Sequence, residues 1–358
     1  MAEQAPQYPI IDSHIHLYPS SELDTLSWCT PSNPLHSQHS LSEYTAATGS
    51  PPSLEGFIFL ETDRKHDLVS GAEDGTGWEM PLKEVEWLKR IALGTPREGE
   101  GHTPEQAKLC LGIIPWAPVP SGGEVLERYV REVERCAEGS FGKVKGFRYL
   151  LQDKPRGTML TEGFVDGLRW LGRKGFVFDV GVDLRSGGRW QLEEVVEMIE
   201  KAHEGVEEEE KVTFIINHLC KPDFSIYNPT DPSFIAWRTA MFRLSKSSKT
   251  YMKLSGCFSE MPSSLRNAPI DEIVLALQPY LVVILATFSA FRIMFGSDWP
   301  VCTVDLDVEG GGENAGGAWK KWRSVVERFC DLASLGTEDQ IMIWSGTAIK
   351  AYGLKELM

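Results

Sequence analysis

Short β-branched or aromatic runs alternate with helix-like stretches along most of this 358-residue chain. The runs that predict strands are 8–18, 54–63, 109–116, 144–151, 175–183, 211–219, 250–256 and 292–298. In the stretch 191–205, apolar residues recur at helical spacing and form one face. Eight strands alternating with helices are typical of a (β/α)8 TIM barrel, which we expect here. The competing open doubly wound sheet usually carries a Gly-rich phosphate turn after its first strand, and this sequence has none.

The chain shows no internal repeat and no dividing linker, so we expect a single domain over 1–358 with its core at about 8–355. Residues 19–53 are rich in Ser, Pro, Thr and His and are too long for an ordinary connection. We expect this loop to cover part of the C-terminal face of the barrel. Residues 96–106 and 307–317 are expected to be flexible surface insertions.

The charge balance limits the partners of the protein. Lys and Arg total 36 against 51 Asp and Glu, which leaves a net charge of −15 at pH 7. Such a surface repels nucleic acid and anionic lipid, so neither is expected as a partner. We expect a small-molecule substrate and a monomer or homodimer. The seven cysteines contain no CxxC pair and indicate a reduced compartment. The first ten residues lack a secretion pattern, so the prediction is cytoplasmic.

One apolar stretch, 273–295, tests this prediction of a soluble protein. A membrane span needs about 20 apolar residues with few interruptions. Here Gln278 and Pro279 interrupt the run, and Arg292 follows it. We therefore expect a buried helix that leads into a strand.

The first predicted strand ends in a His-x-His pattern. Because strand side chains alternate, Asp12, His14 and His16 are expected on one face, directed into the barrel mouth. Two imidazoles about 7 Å apart can converge on one cation or one substrate oxygen. Alone the pattern is weak, but its position at the end of a first barrel strand makes it informative.

A histidine and a carboxylate complete this constellation. His218 ends the sixth predicted strand and Asp298 ends the eighth, which neighbours the first strand in a barrel. Each alone is as readily a hydrogen-bonded core residue or a loop cap. Together with His14 and His16 they predict a hydrolytic site that could hold one divalent metal ion, with His218 and Asp298 as catalytic residues.

Other strand-end residues are candidates for substrate binding. Arg148 could hold hydroxyl groups or a carboxylate through paired donors, although a structural salt bridge is the alternative. Glu61, Asp179, Asp183 and Lys253 lie near strand ends, but alternation alone does not decide which of them reach the site. Trp28, Trp116 and Trp299 could form apolar platforms for a sugar-like ring, or simply pack in the core.

The motifs HIH (14–16), INHLCKP and GSDWP (296–300) resemble the amidohydrolase superfamily, in its amidohydrolase-related branch. With KGFRYLLQ and YMKLSG added, the chain is most similar to L-rhamnono- and L-fuconolactonases and to 2-pyrone-4,6-dicarboxylate lactonase. This resemblance spans about residues 8–355. It implies a (β/α)8 barrel that hydrolyses a cyclic ester, with or without a bound divalent metal such as Zn²⁺.

The sequence also departs from the family. The segment before GSDWP reads ATFSAFR. Relative to the family, insertions at 64–106 and 305–317 enlarge the loops after strands two and eight, which are expected to select substrate. The superfamily's strand-four carboxylated Lys or Glu has no counterpart, because Lys145 alternates away from Arg148, so a mononuclear site is expected. A lactonase is the preferred function. A non-oxidative decarboxylase of the same superfamily, acting on an aromatic or enol-forming acid, is the main alternative, followed by an amide or ester hydrolase of other specificity and a catalytically inactive barrel.

Overall fold

The computed structural model describes residues 8–306 and 317–355. Each predicted run contains one strand, and the strands are β1 Ile10–Ile15, β2 Leu54–Leu60, β3 Cys110–Ile114, β4 Gly146–Arg148, β5 Val177–Val180, β6 Thr213–Ile216, β7 Thr250–Leu254 and β8 Ile293–Phe295. The helices are α1 Leu41–Thr48, α2 Leu68–Asp74, α3 Glu79–Leu93, α4 Gly123–Cys136, α5 Glu162–Arg173, α6 Leu184–Gly187, α7 Arg189–His203, α8 Pro232–Leu244, α9 Cys257–Glu260, α10 Ser263–Arg266, α11 Ile270–Phe288, α12 Gly317–Leu332, α13 Thr337–Ile341 and α14 Thr347–Tyr352. Most of the insertion 305–317 lies outside the described residues.

All strand pairs are parallel, and the strands follow one another in chain order within two sheets, β1-β2-β3 and β4-β5-β6-β7-β8. Isolated parallel bridges connect the edges of these sheets, Ile113 with Val144 and Trp116 with Arg148 on one side, and Ile15 with Trp299 on the other. The prediction of parallel strands separated by helices is therefore confirmed. Because parallel strands point the same way, their carboxyl ends lie at one edge of each sheet.

The buried apolar residues form two clusters on opposite faces of the strands. In β2, Phe57 and Phe59 join the large cluster against the helices, whereas Ile58 and Leu60 join a smaller inner cluster. The inner cluster draws on both sheets and on α14, with Ile11, Ile114, Val177, Ile215, Tyr251, Met294, Ala348, Ala351 and Tyr352. The last helix of the described chain thus covers the inner face of the sheets.

The first strand does not keep the simple alternation that its sequence predicts. Its register against β2 shifts between Asp12 and Ile15. The Asp12 carboxylate accepts hydrogen bonds from Tyr44 of α1 at 3.0 Å, from Trp319 of α12 at 2.8 Å and from the backbone N–H of Ser297 at 2.8 Å. The expectation that Asp12 shares a face with the two histidines is therefore wrong, because the shift turns its carboxylate toward the helices.

The apolar stretch forms α11, which leads into β8 as expected. By length and composition alone this 19-residue helix is apolar enough to cross a membrane, and 33% of its most apolar window is buried. Its buried side contacts α12 and α8. Leu275 and Val282 on its outer side are exposed, so the expectation of a buried helix holds for one face only.

Candidate active site

Four predicted side chains from three strand ends meet at one point. Oδ1 of Asp298 lies 3.4 Å from Nε2 of His14, 3.6 Å from Nε2 of His16 and 3.7 Å from Nε2 of His218. Asp298, His14 and His218 are buried, and the His16 side chain is 13% exposed. The structure therefore gathers a carboxylate and three imidazoles within contact distance of one another.

The backbone holds Asp298 and the first-strand histidines together. The Asp298 N–H donates to the carbonyl of His14 at 2.9 Å, and the His16 N–H donates to the carbonyl of Trp299 at 2.8 Å. Asp298 itself has a left-handed backbone with φ of 62°. Residues with a side chain seldom adopt this conformation. Here it occurs at the residue whose carboxylate lies among the imidazoles.

His218 begins a short left-handed turn that runs to Lys221, with φ between 48° and 61° at its four residues. Such residues cost roughly 1–2 kcal/mol each relative to right-handed backbone. The turn directs the imidazole toward Gly256, where an added Cβ would lie 2.3 Å from its Nδ1. The same Nδ1 is 2.9 Å from Oγ of Ser255. The strained backbone, the missing side chain at Gly256 and the Ser255 hydroxyl together set the orientation of His218.

The Nδ1 atoms of His14 and His16 contact different groups. Nδ1 of His16 lies 3.0 Å from the carbonyl oxygens of Leu60 and Glu61. Nδ1 of His14 lies 3.3 Å from Nζ of Lys253. Lys253 also donates to Asp179 at 2.6 Å, beneath the imidazoles. His16 is thus held by acceptors and His14 by an ammonium group.

Burial and neighbouring charge control the ionisation of the site. Burial raises the pKa of the Asp298 carboxyl, but His218, His16 and Lys221 outweigh it, so that the pKa is lowered overall. Burial lowers the pKa of His14 well below its ordinary value, and Lys253 lowers it further. Burial also lowers the pKa of His218 to about 3, against the opposing effect of Asp298. At neutral pH the carboxylate is charged and these two imidazoles are neutral.

A cavity of about 390 Å³ opens directly above this group. Of the predicted residues, His16, His218, Asp298, Arg148 and Glu61 line it. The other lining residues come from the first loop and from neighbouring strand ends: Tyr18, Trp28, Asn33, Pro34, Leu35, Thr62, Asp63, Leu150, Gln152, Lys221, Pro300, Val301 and Val304. Its wall is mainly apolar and its floor is charged, an arrangement suited to a small polar ligand.

Arg148 and Glu61 form a buried pair in this wall, with 3.3 Å between NH1 and Oε1. Nε of Arg148 and Oε1 of Glu61 have no hydrogen-bond partner among the described residues. Burial raises the pKa of Glu61 to about 8, although Arg148 acts to lower it. Unsatisfied buried polar atoms are costly, so this pair lowers the stability of the fold while it places two polar side chains in the cavity wall.

Three predicted substrate-binding residues are not in the lining of the cavity. Asp179 is fully buried and bonded to Lys253 and to the Tyr352 hydroxyl, the latter at 2.8 Å. Trp116 packs in the large core beside Tyr129, and Trp299 packs there beside Tyr44. These positions correct the expectation that the three side chains face the substrate. Trp28 does line the cavity, and its Nε1–H donates to Thr62 at 2.8 Å.

Sequence reasoning missed Lys221 and Ser255. Lys221 lines the cavity at the end of the left-handed turn, and its Nζ lies 3.6 Å from Glu260. Its place in the INHLCKP segment was the available signal. Ser255 follows β7 directly, and only the contact with His218 reveals its positioning role.

The wall contributed by the first loop is tied to the loop after β2 by Arg64, which is 1% exposed. Its guanidinium pairs with Glu22 at 2.5 Å and with Glu84 at 3.2 Å, and it donates to Thr25 at 2.9 Å. Breaking such a buried pair typically costs about 3–5 kcal/mol. Part of the 19–53 loop is thereby held beside the cavity.

Some of these residues could hold a metal ion. One ligand atom from each of His14, His16 and Asp298 lies within 4.8 Å of the others. Two imidazole nitrogens and a carboxylate oxygen suit Zn²⁺, and His218 is close enough to add a further nitrogen. The carbonyl groups near Nδ1 of His16 agree with a metal site. When Nδ1 donates its hydrogen to them, the lone pair of Nε2 is free to bind a metal ion. The donor set therefore fits one divalent cation.

The fold is a parallel α/β arrangement whose strand ends carry a centre of histidines and one aspartate. The amidohydrolase family model matches residues 108–354. An L-rhamnono-gamma-lactonase from Scheffersomyces stipitis is 35% identical over 97% of this chain and 99% of its own length. An L-fucono-1,5-lactonase from Burkholderia multivorans is 29% identical over 62% of this chain and 67% of its own. A crystal structure of a Burkholderia multivorans amidohydrolase with bound zinc aligns with a TM-score of 0.66 at 23% identity, over 97% and 99% of the two chains. The chain belongs to the amidohydrolase family, and the predicted resemblance is confirmed.

Proposed function

We propose that this protein is a lactonase, a hydrolase that opens the cyclic ester of a sugar-acid lactone or a related small lactone. The observation that carries the proposal is the Asp298 carboxylate, whose Oδ1 lies 3.4–3.7 Å from three imidazole nitrogens at the floor of a cavity. Lactonases among its relatives support the reaction type.

We further propose that the two sheets act as one closed (β/α)8 barrel in a single domain. The bridges between Ile113 and Val144 and between Ile15 and Trp299 support this, because they join the sheet edges in the order that a barrel requires. In such a barrel, substrate enters at the carboxyl ends of the strands, where the described cavity lies.

Lactone hydrolysis requires a polarised carbonyl, an activated water and a proton for the departing ring oxygen. Asp298, charged at neutral pH, accepts a proton from the water as its oxygen attacks the carbonyl carbon. The imidazoles stabilise the negative charge that develops on the carbonyl oxygen. The tetrahedral intermediate then breaks its bond to the ring oxygen, which receives the proton from Asp298 and leaves as a hydroxyl group.

The residues that would hold a metal here are His14, His16 and Asp298, with His218 beside them, and we propose a single Zn²⁺. When bound, the ion supplies a Lewis acid at the carbonyl and lowers the pKa of a coordinated water. A second metal finds no support on strand four, because Lys145 is outside the cavity lining.

Substrate recognition falls to the buried pair Arg148 and Glu61. Both residues line the cavity, where a guanidinium group can donate to the hydroxyl groups of a sugar-like ring and a carboxyl group can accept from them. Tyr18 and Trp28 offer apolar surface opposite them.

The test is a panel of five- and six-membered sugar-acid lactones together with hydroxylated aromatic acids. A lactonase releases one proton per turnover without CO₂, which a pH indicator assay and a CO₂ assay measure in parallel. Release of CO₂ from an aromatic acid, with no lactone opened, would replace this proposal with a decarboxylase.

A further inference from the structure

Lys253 takes the place at His14 where a metal-binding histidine usually has an acceptor. Metal-ligating histidines normally donate their second N–H to a carboxylate or carbonyl group. Here Nδ1 of His14 is 3.3 Å from Nζ of Lys253, and Lys253 is paired with Asp179 at 2.6 Å, both side chains being fully buried. An ammonium group offers only donors. We propose that Lys253 keeps His14 in the tautomer that opposes metal binding, so that this site binds Zn²⁺ weakly.

The neighbouring contacts lead to the same assignment of hydrogens. Nδ1 of His16 faces two carbonyl oxygens, so it carries a hydrogen and donates to them. Nε2 of His16 is 3.2 Å from Nε2 of His14, a distance that needs one hydrogen between them. Because Nδ1 of His14 faces the ammonium group of Lys253 and accepts from it, the ring hydrogen of His14 lies on Nε2, toward His16.

One chain of donors therefore runs from Lys253 through His14 and His16 to the carbonyl oxygens of Leu60 and Glu61. A cation bound to both Nε2 atoms would displace the hydrogen they share. The His14 ring would then carry its hydrogen on Nδ1, where it would face the hydrogens of the Lys253 ammonium group and be repelled by them. Metal binding at His14 must therefore break the Lys253 contact, whereas at His16 it leaves the carbonyl contacts intact.

The experiment measures zinc affinity by competition with a chromophoric chelator, using the metal-free full chain without substrate. The double variant Lys253→Met/Asp179→Asn is compared with Asp179→Asn alone and with wild type. The double variant removes one positive and one negative charge, so a change in net charge does not explain a gain over wild type. We expect it to bind zinc at least about tenfold tighter than wild type and than Asp179→Asn, the range found when groups behind metal ligands are changed. Equal or weaker affinity in the folded double variant would overturn the proposal.

A second measurement uses wild type and does not depend on a variant that folds. Long-range ¹H–¹⁵N spectra of the metal-free protein should show His14 protonated at Nε2 and His16 protonated at Nδ1. A hydrogen on Nδ1 of His14 would contradict the proposal. The inference rests on the proposed metal site and not on the substrate, so it can fail while the lactone assay succeeds, and the reverse.

Discussion

Asp298 is the residue on which the chemistry depends most. Its carboxylate is buried among three imidazoles, and its backbone adopts a left-handed conformation held by the carbonyl of His14. An amide has the same shape as a carboxylate and cannot accept the proton from water as a base. Substitution at this position therefore separates chemistry from folding.

We predict that Asp298→Asn lowers kcat by about 10²–10⁴-fold, the usual contribution of a positioned general base. Circular dichroism and thermal unfolding should match wild type, because the amide keeps the packing volume. Lactone assays at saturating substrate measure the loss. Activity near that of wild type would remove Asp298 from the proton-transfer role.

The ionisation of the site predicts the pH profile of kcat/KM. Asp298 must be charged, and its pKa is lowered from the ordinary 3.8, so its charge is lost only as pH falls below that value. The pKa values of His14 and His218 are lowered from 6.5, so both stay neutral through the mildly acid range. We expect kcat/KM to stay flat between about pH 5 and pH 7, where ordinary histidines titrate. An acid limb centred near 6.5 would instead indicate a histidine base.

At the scale of elements, the left-handed turn after β6 and the glycine after β7 act together. Gly256 has φ of 63° and leaves room for the His218 ring, whereas Gly175 has φ of 74° and nothing within 4 Å of an added Cβ. Both positions would strain a side chain in the backbone, at roughly 1–2 kcal/mol. Only the first would also displace an imidazole.

We therefore predict that both Gly256→Ala and Gly175→Ala lose stability in urea unfolding, Gly256→Ala the more because of its clash with His218, while only Gly256→Ala loses kcat, by at least about tenfold. The Gly175→Ala variant is the matched control for backbone strain. Equal activity of the two variants would show that the close approach of Gly256 to His218 does not matter for turnover.

The strand ends were predictable because hydrophobic pattern reveals where buried strands stop, and parallel strands stop at one edge. That reasoning brought His14, His16, His218 and Asp298 together before any coordinates. Arg148 was assigned to the same site in the same way, and it does line the cavity.

The remaining assignments failed for reasons that periodicity does not encode. Alternation indicates a face but not a depth, so it leaves open whether Asp179 reaches the cavity, and in the structure Lys253 and Tyr352 hold it below. A register shift in β1 reversed the side of Asp12. Whether a tryptophan packs or contacts a ligand depends on its neighbours in three dimensions, as Trp116 shows.

At the scale of the whole molecule, the last described helix, α14, contributes to the support of the active site. Tyr352 of α14 reaches across the inner cluster and donates its hydroxyl hydrogen to Asp179 at 2.8 Å. Asp179 in turn holds Lys253. The end of the described chain is thus joined by hydrogen bonds to the floor of the active site.

We predict that Tyr352→Phe lowers the free energy of unfolding by about 1.5–3 kcal/mol, the contribution of a hydrogen bond to a charged group. Chemical denaturation measures the change. Tyr227→Phe, at an exposed tyrosine, is the control and should be neutral. A Tyr352→Phe variant as stable as the control would mean that Asp179 is satisfied without this hydroxyl.

The backbone bonds that join Asp298 to His14 and His16 to Trp299 have a consequence for heating. Asp298, His14 and His16 are joined through their backbones, so thermal motion displaces the three side chains together. The apolar wall comes from a separate surface loop fastened through Arg64. As the temperature rises, selectivity among substrates should therefore fall at a lower temperature than kcat does.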